Sequence, residues 1–278
     1  VVDLHTHTFE SDGTDSPIGL VEKAAAQGLR TLAITDHDTL SAHRTAAARA
    51  QELGIRLVIG VEISTRARNR SVHLLAYWFD GAAPQGFEVW LGEMVEYRRE
   101  RNRRLAQKLR ELGIPIELEE AEALGRTITG RVHFAKVLIA KGFASSINEA
   151  FQKYIGEDAP GFVMMEDPQT PAAVRKVREH GGVPVLAHPI RLAMRDPAVE
   201  EAFIKEQVDA GLLGLEVMHS DQNEIARNRY GTIAARYGLA PSGGSDYHGD
   251  IKPQIFLGRG VEGNVNVPTE WIDRLSSL

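Results

Sequence analysis

The stretch Leu29-Arg30-Thr31-Leu32-Ala33-Ile34-Thr35-Asp36-His37-Asp38 decides the fold. It is a short apolar run of strand length, and it stops on three ionisable side chains. Upstream, Ser16-Pro17 predicts a helix start, with Ser16 as cap and Pro17 in the first turn. That helix runs to about Gln27 and ends at Gly28. Before it, Val1-Val2-Asp3-Leu4 reads as a short buried strand that runs into His5-Thr6-His7. Strand, helix, strand, with polar residues where each strand stops, is the unit of a parallel sheet or barrel flanked by helices.

The rhythm continues outward from there. Ser41 to Leu53 reads as a helix stopped by Gly54, and Ile55 to Ser64 and Ser71 to Phe79 read as strands. In the last third, Pro171 to Glu179, Ala198 to Ala210 and Gln222 to Tyr237 read as helices. Val183 to Ala187, Leu213 to Met218 and Leu239 to Gly243 read as the strands between them. The middle breaks the pattern. Glu88 to Leu112 reads as one long helix, with shorter ones over Arg131 to Ala140 and Asn148 to Tyr154. The expected organisation is an α/β barrel built from residues 1–85 and 168–278. Residues 86–167 are then a helical insertion that contributes to substrate binding.

The bulk numbers set bounds. A chain of 278 residues with 43% hydrophobic content can bury a full-sized core. The absence of cysteine excludes disulfides, thiolate metal sites and thiol catalysis within this chain. A net charge of -6 argues against a general nucleic-acid or membrane binder. It leaves room for an anionic substrate, because a local metal cluster outweighs a diffuse negative surface. No apolar run approaches the roughly 18 residues of a membrane span. No signal-peptide pattern is read at the N-terminus, so a cytoplasmic location is expected, and no obligate protein partner is evident.

The chemistry lies where the strands stop. The first delivers His5, His7 and then Asp12, and the second delivers Asp36-His37-Asp38. Glu62 sits near the end of the third, His73 early in the fourth, and His188, His219, Asp246 and His248 follow the later ones. In barrel enzymes the catalytic groups come from this end of several strands. Imidazole and carboxylate together suit borderline ions such as Mn, Fe or Zn. So many ligands imply two or three divalent ions, most simply Mn, with Glu62 or Asp246 able to bridge a pair. Residues two apart in a strand share a face, which pairs His5 with His7 and Asp246 with His248. His43, His133 and His180 stand outside this pattern and read as structural.

These motifs resemble a known family. His5-Thr6-His7 with Ser11-Asp12-Gly13, Ile34 to Thr39, Gly60-Val61-Glu62, His73, Ala187-His188-Pro189 and Gly244 to His248 are similar to the PHP (polymerase and histidinol phosphatase) family of the amidohydrolase-like barrels. The resemblance implies a distorted (β/α)7 barrel holding up to three metals. It implies His5, His7, Glu62 and Asp246 around one ion. A second would share Glu62 and add His73 and His188, and a third would use Asp12, His37 and His248. The insertion, Gly130-Arg131-Val132-His133 and Glu216 to Ser220 resemble the subgroup of bacterial 3′,5′-nucleoside bisphosphate phosphatases and 5′-3′ exoribonucleases.

The expected reaction is hydrolysis of a phosphate ester by water that the metals activate. Asp246 is expected to be essential to it, and His219 is a candidate general acid or phosphate donor. Arg131, whose planar fork suits phosphate oxygens, is a candidate clamp at a helix start, with Arg191 a further substrate contact. The substrate expected is a small nucleotide such as adenosine 3′,5′-bisphosphate (pAp). Short RNA, histidinol phosphate and a non-catalytic module are the alternatives. The basic run of Arg98, Arg99, Arg101, Arg103, Arg104, Lys108 and Arg110 reads as a solvated helix face with Glu93, Glu96 and Glu100 as partners. Its sharper reading is a phosphate track for RNA.

Overall fold

The computed structural model describes residues 1–67, 70–81 and 83–278. Seven strands form one sheet in sequence order: β1 (Val2–Asp3), β2 (Thr31–Ile34), β3 (Arg56–Ala67), β4 (Arg70–Trp78), β5 (Val183–Leu186), β6 (Gly214–His219) and β7 (Ala240–Gly244). The sheet curls until its edges meet. Leu4 N–H donates to Gly243 O at 3.3 Å, and Thr6 bridges Tyr247 in parallel. Gly244 permits that approach, since a Cβ there would lie 2.4 Å from the backbone nitrogen of His5. The result is a nearly closed α/β barrel.

One strand departs from the parallel pattern. β4 pairs antiparallel with both β3 and β5. Only two residues lie between the end of β3 and the start of β4, a connection short enough for an antiparallel pair. This reversal explains why His73 comes early in its strand. The start of β4 lies at the same rim as the ends of its neighbours, and His73 sits opposite Ser64 of β3.

Eight of the helices follow the sequence reading closely. They are α1 (Pro17–Ala26), α2 (Ser41–Glu52), α3 (Gln85–Glu111), α5 (Arg131–Ala140), α6 (Ile147–Ala150, extended by a π turn to Ile155), α7 (Thr170–Glu179), α8 (Pro197–Asp209) and α9 (Glu224–Arg236). Ser16 caps α1 as expected, its side chain accepting from Gly19 N–H at 3.0 Å. Two short helices went unread, α4 (Leu118–Glu122) and α10 (Thr269–Ser276). Each offers only one or two turns of periodicity, too little to stand out.

The barrel interior is apolar. Val2, Leu4, Ala33, Val58, Leu75, Tyr77 and Val185 pack there, and α10 closes the far end with Ile272 and Leu275. Tyr77 crosses the interior to donate to Leu4 O at 2.7 Å. Each such large side chain contributes about 1.5–3 kcal/mol by leaving water. Between β4 and β5, helices α3 to α6 gather a second core of Leu105, Leu109, Ile116, Phe134, Leu138 and Ile155. Among the described residues no helix is long and apolar enough to cross a membrane.

Candidate metal centre

The barrel's filled interior stops at its rim, and there the apolar side chains give way to imidazoles and carboxylates. His5 and His7 leave β1 fully buried, and Glu62 meets them from β3 at 1% exposure. Glu62 Oε2 lies 3.2 Å from His5 Nε2, 3.1 Å from His7 Nε2 and 3.4 Å from His37 Nδ1. Its Oε1 lies 2.8 Å from both His73 Nδ1 and His188 Nε2. Asp246 Oδ1 adds 3.6 Å to His5 Nε2 and 3.4 Å to His7 Nε2. Asp12 reaches His7 at 3.5 Å, His37 at 3.8 Å and His248 at 3.4 Å. All nine residues expected as ligands thus converge on one rim.

The distances bear on whether ions fit. A tetrahedral ion with bonds of about 2.1 Å holds its ligand atoms about 3.4 Å apart. The separations among His5, His7, Glu62 and Asp246, from 3.1 to 3.6 Å, bracket that spacing. His5 Nε2, both nitrogens of His7 and His37 Nδ1 are buried with no hydrogen-bond partner among the described residues. Such orphans are costly unless something else satisfies them. His7, Asp12, His37 and His248 form a second group of donor atoms within 4.8 Å of one another, and His37, Glu62 and His73 a third. These clusters suit a multinuclear metal site.

Charge follows from the same geometry. Burial pulls the Asp246 carboxyl up, but Lys252 and Arg191 beside it hold it well below the usual range. Both cations touch its Oδ2 at 2.8 Å. Burial pulls His7 down, yet the Asp246 and Glu62 carboxylates facing it raise it to about 9. Burial lowers His37 to about 4. A metal takes neutral imidazole. At pH 7.5 the metal-free His7 is protonated and His37 is not. Loading is therefore expected to release the His7 proton, and apparent affinity should rise with pH until about 9. Calorimetric titration in two buffers of different ionisation enthalpy measures this; a buffer-independent heat would refute it.

Several residues outside the expected ligand set brace the site. Glu216 is fully buried on β6, with Oε1 at 2.9 Å from His5 Nδ1 and Oε2 accepting the His188 N–H at 2.5 Å. It fixes the orientation of one imidazole and the backbone of another. The available signal was a lone acid inside the apolar run Leu215-Glu216-Val217. Asp36 accepts from Thr8 N–H at 2.8 Å and from the Thr8 and Ser11 hydroxyls, each at 2.6 Å, which shapes the loop carrying Asp12. Asp38, at φ 53°, accepts from Ser64 N–H at 2.7 Å and pairs with Arg98.

The centre opens into a cavity of about 730 Å³. Asp12, His37, Glu62, His73, Asp246 and His248 line it, with Arg191 and Lys252. Arg98, Arg101 and Arg131 line it too, with Ile128, Phe151 and Phe162. Arg131 donates to Ile155 O at 3.4 Å and lies 5.5 Å from the Phe151 and Phe162 rings. The helix start beside it offers one donor fewer than expected, because His133 Nδ1 takes the Gly130 N–H at 3.0 Å.

Three expectations change. The structure does not bring His219 to the cavity. It is fully buried, its Nδ1 accepts the Asp221 N–H at 3.0 Å, and its Nε2 faces Asp246 Oδ2 at 3.5 Å. Next, the basic run is not one solvated face. Arg98 and Arg101 are 8% and 6% exposed and turn inward, on the buried stripe with Phe87, Leu91, Met94, Leu105 and Leu109. Finally, the outward arginines pair with Glu100, Glu117 and Glu122 rather than with Glu93 and Glu96. His43, His133 and His180 each make backbone hydrogen bonds outside the cluster, in keeping with structural roles.

Comparison with known proteins places this architecture. Residues 3–154 match the PHP domain. A 5′-3′ exoribonuclease of Haemophilus influenzae is 34% identical over 246 residues, 88% of this chain and 89% of its own. A 3′,5′-nucleoside bisphosphate phosphatase of Chromobacterium violaceum is 32% identical over 249 residues, 89% of this chain and 87% of its own. Among solved structures, an amidohydrolase from Chromobacterium violaceum with bound sulfate and no metal superposes with a TM-score of 0.86 at 30% identity, covering 98% of this chain and 96% of that one. With the family's sequence running through a seven-stranded barrel whose rim gathers buried His, Asp and Glu, the chain belongs to the PHP family and is a metal-dependent phosphoesterase.

Proposed function

We propose that this enzyme removes the 3′-phosphate of nucleoside 3′,5′-bisphosphates, converting pAp to AMP and phosphate. The observation that carries the reading is one cavity lined both by the ligand clusters and by three arginines, Arg98, Arg101 and Arg131. A substrate with two anionic groups and an apolar part complements it. Manganese is the proposed ion, held by His5, His7, Asp12, His37, Glu62, His73, His188, Asp246 and His248. Divalent ions there would supply charge stabilisation at the phosphoryl oxygens and a more acidic water.

The chain's own groups do the rest. Arg191 and Lys252 border the metal ligands and are within reach of phosphoryl oxygens. Arg98, Arg101 and Arg131 draw in the second phosphate, and Phe151 and Phe162 offer faces to a base. With its Nδ1 already accepting from Asp221, His219 aims Nε2 at Asp246 Oδ2 and steadies that carboxylate. That is a positioning role, in place of proton donation to the leaving oxygen. The 5′-3′ exoribonuclease reading stays alongside, favoured by the similarity to an enzyme of that name. Ion pairing along the outer face of α3 weighs against a helix track for RNA phosphates.

The test is phosphate release from Mn-loaded protein given pAp, 3′-AMP, 5′-AMP, histidinol phosphate or a 5′-phosphorylated oligoribonucleotide. Turnover of pAp well above both monophosphates is expected. Release from histidinol phosphate alone would end the nucleotide reading, and stepwise shortening of the oligomer with pAp untouched would favour the exonuclease.

A further inference from the structure

The loop that carries Asp12 is tied to the insertion by contacts that neither the metal cluster nor the arginines require. Glu10 lies two residues before Asp12. Its backbone carbonyl accepts the Ile128 N–H at 3.0 Å. Its carboxylate Oε2 accepts the Ser41 hydroxyl at 3.0 Å and the Thr127 hydroxyl as well. Ser41 and Thr127 themselves lie 3.3 Å apart. Beside them the Arg126 guanidinium sits 4.3 Å from the Phe9 ring. One carboxylate therefore gathers three segments: the Asp12 loop, the start of α2 and the connection between α4 and α5.

That connection builds the cavity wall. Ile128, Gly130 and Arg131 all line it. On its other side, Asn102 Nδ2 of α3 donates to Thr129 O at 2.8 Å, next to Arg101. Residues 126–131 are thus held between the metal loop and the helix that supplies the inward arginines.

We propose that Glu10 is a positioning residue that latches the wall of residues 126–131 onto the Asp12 loop, and so sets the distance between the metal ligands and Arg131. This rests on the reading of the cavity as a two-anion site. A substrate that engages both the metal ligands and Arg131 then depends on Glu10, and one that needs only the metal ligands does not. Each hydroxyl bond to the carboxylate is charge-assisted but partly exposed, which sets the expected effect near tenfold.

The experiment compares wild type, Glu10→Ala, Glu10→Gln and Thr127→Val as Mn-loaded enzymes on pAp and on p-nitrophenyl phosphate. Glu10→Ala is expected to raise KM for pAp about tenfold and to leave both constants for p-nitrophenyl phosphate within about twofold. Glu10→Gln, whose amide oxygen still accepts both hydroxyls, should recover to within about threefold, and Thr127→Val should show a smaller rise than Glu10→Ala. An unchanged KM for pAp overturns the latch. So does an equal fall on both substrates with lost metal, because Glu10 would then serve only Asp12. If wild type hydrolyses p-nitrophenyl phosphate but not pAp, the two-anion reading fails on its own account. Deuterium exchange over residues 126–131 then decides the latch: faster in Glu10→Ala and restored in Glu10→Gln supports it, and equal exchange overturns it.

Discussion

Asp246→Asn is expected to lower kcat by at least about a thousandfold, roughly 4 kcal/mol of transition-state stabilisation, and to remove at least one metal ion per chain. The substitution is chosen for its backbone. Asp246 sits at φ 57°, a left-handed conformation that Asn tolerates and most residues do not. The fold should therefore survive, and the loss can be read as chemistry. Oδ1 faces His5 and His7, and Oδ2 holds Arg191 and Lys252. An amide keeps the shape but loses the charge that binds an ion on one side and two cations on the other. Metal content by elemental analysis and single-substrate kinetics measure both effects. Retained turnover with full metal content would remove Asp246 from the ligand set.

Arg101→Met should move activity and stability in opposite directions. Burial penalises the Arg101 charge most, and Arg98 and Arg131 add repulsion, with Asp167 and Asp38 offering partial relief. Among the described residues its one side-chain hydrogen bond is Nε to Asn102 Oδ1 at 3.0 Å. A buried cation so poorly compensated is expensive to the fold, and an apolar side chain of similar length recovers about 1–2 kcal/mol. For a chain of this size that raises Tm by about 2–6 °C. The same change removes a charge-assisted phosphate contact, so kcat/KM for pAp should fall about a hundredfold. Turnover of p-nitrophenyl phosphate should stay within about threefold. Arg101→Lys should recover little, because a point charge cannot reproduce the guanidinium fork. Differential scanning calorimetry and kinetics on the same preparations decide it. A fall in Tm with unchanged kinetics would make Arg101 purely structural.

Much of the barrel could be read from the order of residues because its signals are local. Strands such as Thr31–Ile34 are apolar on both faces, and Ser16-Pro17 and Gly28 punctuate a helix within the reach of a few bonds. His5, Asp12 and Asp246 could be listed as candidate ligands because each follows such a strand, and Glu62 because it lies within one. Their convergence needed only the rule that strand ends share a rim. The reversal of β4 could not be read, since an apolar strand carries no mark of its direction.

The arginines show the limit most clearly. Arg98 and Arg101 lie in a run of like residues along α3, and their places on the stripe of Phe87, Leu91 and Met94 were the one hint that they turn inward. His219 shows the same limit from the other side. Its place after a strand suggested substrate contact, yet the packing of β6 against β7 buries it behind Asp246. The sequence alone determined most of the elements, their order and the candidate metal-binding groups, because propensity, punctuation and ligand chemistry belong to single residues and near neighbours. Only the tertiary structure decided which charges face the cavity, which brace it from behind, and how helices α3 to α6 are held beside the ligand clusters. Those outcomes depend on burial and on pairs such as Glu216 with His5 or Asp38 with Arg98, which lie far apart along the chain.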